Sequence, residues 1–163
     1  MRACPLVSIL FRGVASEAYE VLKAVGVDAP TAELMKTTGI GSVLYAKRPG
    51  DGSAREYAAS CQKVLGGFAN LTNEYATKRY RSNLINWGIL PLRTEEALNV
   101  PEGEYLLLKN VEDAVNNMTP ESSCRIELEI LNRQTGMAEG SIFCTMDSLT
   151  EEEKKILLSG CLM

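Results

Sequence analysis

Ala18, Val21, Leu22 and Val25 recur at three- and four-residue intervals after Ser16, which predicts a helix over residues 17–25 that Gly26 stops. Thr31 and Gly39 bracket a second, shorter helix. From Ser42 to Ala46 the apolar run has no helical spacing and reads as a buried strand, ended by the turn Pro49-Gly50-Asp51-Gly52. A helix is predicted from Ser53, with Tyr57, Ala58, Cys61, Val64 and Leu65 on one face and Gly66-Gly67 at its end. The short apolar stretch Phe68 to Leu71 follows as a strand. Asn73 is placed to cap a helix from Glu74 to Trp87, which Gly88 closes before the strand-like Ile89-Leu90-Pro91-Leu92.

The pattern then changes. Tyr105 to Lys109 reads as a strand, and Cys124, Ile126, Leu128 and Ile130 alternate with Arg125, Glu127 and Glu129, as on a half-buried strand. Asn132 to Gly136 supplies a turn, and Ser141 to Thr145 is expected to return antiparallel. Thr150-x-x-Glu153 is a capping box that opens a last helix carrying Ile156, Leu157 and Leu158. The chain is therefore expected to be α/β in its first part and β-rich in its second.

With 163 residues, 45% apolar and 23% charged, one globular domain over 1–163 is expected, since two full domains and a linker do not fit. No apolar run approaches the roughly 20 residues of a membrane helix, and the first ten residues do not make a secretory signal. No membrane partner is expected, and the cytoplasm is the default location.

Histidine is absent, which excludes a Ser-His-Asp triad, a Cys-His dyad and imidazole acid–base catalysis within the chain. The five cysteines, Cys4, Cys61, Cys124, Cys144 and Cys161, form no C-x-x-C pair, so reduced thiols are expected and no metal or cluster bound by this chain. A net charge of −4 gives no general attraction to nucleic acid. Lys78, Arg79 and Arg81 cluster on the predicted helix and read as a solvated face.

Chemistry concentrates in Gly50-Asp51-Gly52-Ser53-Ala54-Arg55-Glu56, where a strand hands over to a helix. Glycines admit a ligand to the backbone, and the first helical N–H groups are unpaired and partially positive, as a carboxylate or phosphate site requires. Ser53-x-x-Glu56 is equally the pattern of a capping box. Spacing leaves both readings open.

The run G-x-G-S-x-R-E, a Gly-Gly before a strand and then Tyr80 to Leu92 together resemble the C-terminal swivelling domain of the aconitase and isopropylmalate isomerase superfamily. Leu149 to Gly160 is similar to the helix that closes that domain in monomeric aconitases. The resemblance implies a swivelling β/β/α fold, with strands in layers and helices over one face. It implies that Ser53 is the catalytic base and that Arg55 binds substrate, with Gly52 and Ala54 lining the site. The family's second serine is Ala54 here. Leu10-Phe11-Arg12-Gly13 resembles the stretch that contributes another substrate-binding arginine, so Arg12 joins the candidates. The family's opening strand and G-D-x-x-x-T-D loop have no counterpart before Leu10, which implies a domain that starts late.

The resemblance further implies a hydro-lyase or isomerase acting on a small hydroxy di- or tricarboxylic acid, with iron as Lewis acid. Its [4Fe–4S] cluster would lie in cluster-bearing partner domains or a large subunit, and this chain would be inactive alone. A non-catalytic carboxylate-binding or interaction domain of the same fold is the alternative.

Overall fold

The computed structural model describes residues 7–9, 39–95, 98, 100, 104–132 and 134–162. The expected helix over 17–25, the body of the one bracketed by Thr31 and Gly39, and Arg12 lie outside the described residues.

Three parallel strands form one half of the sheet: β2 (Ser42–Ala46), β3 (Gly67–Thr72) and β4 (Leu90–Arg93). Their crossovers are α1 (Arg55–Val64) and α2 (Lys78–Asn86). β5 (Tyr105–Leu108), β6 (Cys124–Leu131) and β7 (Ala138–Met146) make an antiparallel meander, with α3 (Val111–Asn116) after β5 and α4 (Glu151–Ser159) after β7. A short β1 (Val7–Ile9) precedes Leu10 and pairs antiparallel with β5. The seven strands run β1-β5-β6-β7-β4-β3-β2, and the two halves join where Arg93 of β4 pairs with Thr145 of β7. The sheet curls, so that β1 and β2, at opposite ends of that order, approach within 8 Å between Cα atoms.

The alternation in β6 holds: Ile126 and Leu128 are buried, Arg125 and Glu127 exposed. A register shift at Ile130/Leu131 then moves the inward position to Leu131. Val43, Leu71, Leu92, Leu106, Leu128, Cys144 and Leu157 belong to one core that spans both halves of the sheet. A smaller cluster, Ala59, Tyr80, Leu84 and Ile89, packs α1 against α2. The capping box of α4 forms as the sequence predicts, with Thr150 Oγ1 accepting from Glu153 N and Glu153 Oε2 from Thr150 N.

Four expectations are corrected. β2 is only half buried, with Leu44 43% exposed, because it pairs on one side with β3. The apolar face read on α1 points outward: Tyr57, Val64 and Leu65 are 74%, 83% and 80% exposed. Its inner face carries Ala59 and Gln62, and the Gln62 amide is satisfied between the Ala69 carbonyl and the Asn70 side chain. The second helix starts at Lys78, capped by Thr77, because the Asn73 side chain is spent on the Thr94 carbonyl and the Tyr45 hydroxyl. Arg81 is no solvated residue, since it donates to the carbonyls of Asp147 and Ser148. Between Lys109 and Cys124 the structure adds α3, which the pattern does not predict; it begins behind Asn110, whose φ is +54°.

Candidate functional site

The segment from Pro49 to Ala54 leaves the carboxyl end of β2 and delivers the chain to the first turn of α1. The cap position is Ala54, with no side-chain cap bond, so the expected Ser53–Glu56 capping box does not form. Ser53 is exposed and its hydroxyl has no hydrogen bond among the described residues. Glu56 turns instead to the indole of Trp87, which donates to its Oε1 at 2.6 Å.

Arg55 folds back on the loop. Its Nε donates to the Gly50 carbonyl at 3.0 Å, and Nη2 reaches the Asp51 carbonyl at a long 3.4 Å. Thr77 Oγ1 donates to the same Gly50 oxygen at 3.0 Å, so two donors meet at one carbonyl. Gly50 itself has φ +94°, and a Cβ there would lie 2.5 Å from the Tyr80 Cβ. Glycine is required at this point for two independent reasons. At Gly52, by contrast, a Cβ would meet nothing within 4 Å, so the loop tip opens on free space. The contiguous Gly52, Ser53, Ala54 and Arg55 thus lie at the head of α1.

The sequence did not reveal what holds them. The carbonyls of Pro49 and Gly50 are bound by Ala76 N and Thr77 Oγ1, more than twenty residues away. Thr77 carried a usable signal, since a threonine before a basic helix is a standard cap. Beneath α2, burial pushes the Tyr75 phenol well above its ordinary value, helped by Tyr80 and opposed by Arg81. The Tyr75 hydroxyl donates to the Asn70 carbonyl at 3.0 Å.

Two arginines outside these motifs line a cavity of about 360 Å³ with Asn73, Thr94, Glu95, Phe143 and Thr145. Arg93 forms a two-pronged pair with Asp147, down to 2.5 Å, which raises its pKa through that hydrogen bond. Arg125 stacks 3.9 Å above the Phe143 ring. Asp147 thus pairs with Arg93, and Glu95 is the acidic residue of the lining.

Residues 5–97 match the aconitase C-terminal domain family, more than half of the chain. The chain belongs to that family. The match takes in the three parallel strands and the loop between β2 and α1, and it stops short of the antiparallel meander and the tail. This aconitase C-terminal domain is 32% identical over 93 residues to the aconitate hydratase A of Corynebacterium diphtheriae, covering 53% of the chain and 10% of that protein. It is 38% identical over 71 residues to the homoaconitase small subunit of Thermus thermophilus, 43% of each chain. The chain therefore spans less than half the length of these curated relatives. A 3-isopropylmalate dehydratase structure from Methanocaldococcus jannaschii shares 20% identity at a TM-score of 0.48, over 99% of this chain and 89% of that one.

Among the described residues no three His, Cys, Asp or Glu side chains gather as metal ligands. Cys61 on α1, Cys124 on β6, Cys144 on β7 and Cys161 after α4 form no disulfide with one another, and their scatter does not fit an iron–sulfur cluster. No helix among the described residues is long and apolar enough to cross a membrane.

Proposed function

We propose that this domain supplies the base and a carboxylate-binding arginine to an aconitase-type hydro-lyase acting on a small hydroxy di- or tricarboxylic acid. The observation that carries the reading is the exposed hydroxyl of Ser53, free of any capping duty, beside Arg55 at the head of α1. Cluster-bearing aconitase-type domains or a large subunit complete the site, and the chain alone is inactive.

The reaction class removes a proton alpha to a carboxylate while hydroxide leaves the neighbouring carbon. Serine accepts such a proton only as an alkoxide, and an alkoxide needs stabilisation. At Ser53 the unpaired N–H groups of the α1 first turn provide partial positive charge, and the Arg55 guanidinium provides a full one. Arg55 has an edge to spare. With Nε kept on the Gly50 carbonyl, its two Nη groups form an end-on fork for a substrate carboxylate, exchanging only the long contact to Asp51. The open space at Gly52 and the small side chain of Ala54 leave room for that substrate. Arg12 is proposed as a second carboxylate ligand. No nucleic acid and no membrane enters this function.

Ala54, in place of the family's second serine, favours one rival reading, a carboxylate-binding domain without catalysis. Arg55→Lys separates the two in the enzyme assembled with its cluster-bearing partner. Lysine keeps the charge and loses the planar fork, so kcat/KM should fall by about 2–4 kcal/mol in transition-state stabilisation. Steady-state kinetics within twofold of the wild type would reject the catalytic role.

A further inference from the structure

We infer that Thr77 is a positioning residue for the loop that carries Ser53, its hydroxyl serving at once as the cap of α2 and as the clamp on Gly50. The inference rests on the roles proposed for Ser53 and Arg55.

Asp51, Gly52, Ser53 and Ala54 are all exposed, so side-chain packing does not fix the loop tip. Backbone contacts at its base must do so. Ala76 N donates to the Pro49 carbonyl at 3.0 Å, Thr77 Oγ1 and Arg55 Nε both donate to the Gly50 carbonyl at 3.0 Å, and Gly50 packs so closely on Tyr80 that no Cβ fits between them. Three of these four restraints come from the five residues 76–80. Arg55 supplies the fourth, and on the proposed reading it must also grip substrate. A side chain that grips a ligand is a poor sole anchor for the loop that aims it, so Thr77 leaves Arg55 free to use its Nη edge.

The geometry of one hydroxyl permits both duties. The Thr77 O–H proton points to Gly50, and an oxygen lone pair accepts from Tyr80 N at 3.3 Å. The backbone there is extended, at φ −145° and ψ 145°, as a cap requires. The helix start and the loop therefore share a single atom. Three substitutions pull the duties apart. Thr77→Val removes both. Thr77→Asp keeps the lone pair that caps α2 but, ionised, has no proton for Gly50. Thr77→Ser keeps both.

The test uses the full chain for loop order and the enzyme assembled with its partner for turnover. In Thr77→Asp the backbone order parameters of Asp51 to Ala54 should drop from about 0.85 to below about 0.6, while those of Lys78 to Asn86 in the still-capped α2 stay at the wild-type value. Turnover should fall by about tenfold to a hundredfold, the cost of an ångström-scale misplacement, and Thr77→Ser should restore both loop order and rate. A rigid loop in Thr77→Asp, or a loose loop with unchanged turnover, would overturn the inference. Failure of the underlying reading looks different: Ser53→Ala would turn over normally while the Thr77→Asp loop was still loose.

Discussion

The hydroxyl of Ser53 serves no backbone N–H group, and this separates its two conceivable roles in a way that sequence spacing does not. A capping serine replaced by alanine costs about 1 kcal/mol. Here Ser53→Ala should change stability by less than about 0.5 kcal/mol in a urea titration, as for an exposed side chain without partners. Turnover of the assembled enzyme should nevertheless fall by on the order of a thousandfold if the serine takes the proton. A stability loss with intact turnover would restore the capping box and remove the base. Tyr75 makes a second residue-scale prediction. Its ordinary pKa is 10.0, and burial raises it well above that in the folded chain. Above pH 10 the unfolded state has lost this proton and the folded state has not, so the folded state is disfavoured as pH rises; below pH 10 the residue contributes no pH dependence. Tyr75→Phe should therefore flatten the fall of the urea midpoint above pH 10. At neutral pH it should cost about 1 kcal/mol, for the lost bond to the Asn70 carbonyl.

At the scale of elements, the loop after β2 depends on α2 more than on its own sequence. Gly50→Ala would force a left-handed φ on alanine and drive a methyl into Tyr80, so a loss of about 2–4 kcal/mol is expected in thermal or urea unfolding. An unchanged midpoint would mean that the loop is not seated on α2. The same dependence explains which elements were legible in the chain. Thr150 and Glu153 met as a capping box because both partners lie within one turn, and the distant Arg81 pairs only with the carboxylate oxygen that the cap leaves over. The strand β6 was legible because its alternation is a local property of one sheet face. Asn73 failed as a cap because Thr94 and Tyr45, far along the chain, claim its amide. The face of α1 was inverted because a polar residue, Gln62, is buried by a partner on β3 that no periodicity reveals, while Tyr57, Val64 and Leu65 remain outside. The handover from strand to helix that carries the candidate residues was legible through the run from Gly50 to Glu56. What anchors them was not, since Ala76, Thr77 and Tyr80 act on that run only through tertiary contact.

At the scale of the whole molecule, the described residues form two unlike halves of one curled sheet, joined in the ladder at Arg93 and Thr145 and by a shared core. The C-terminal segment ties the helical layer together from outside. Lys63 of α1 donates to the Gly160 carbonyl at 3.3 Å, Leu162 N donates to the Asn86 carbonyl at 2.9 Å, and Gly88 packs so closely on Gly160 that no side chain fits between them. Truncation after Ser159 removes both bonds and should cost about 1–3 kcal/mol by thermal melting. A melting temperature unchanged by the truncation would show the tail to be ornamental. The Trp87–Glu56 contact has a practical consequence at the same scale. Trp87 is the single tryptophan of the chain, and its indole rests on the residue that directly follows Arg55. Its fluorescence is a built-in gauge of the α1 head, one that needs no label. A carboxylate entering the loop, a partner closing over it, or the parting of α1 from α2 would each register as a change in one emission band, provided the light is chosen at the red edge where indole absorbs and the six tyrosines do not.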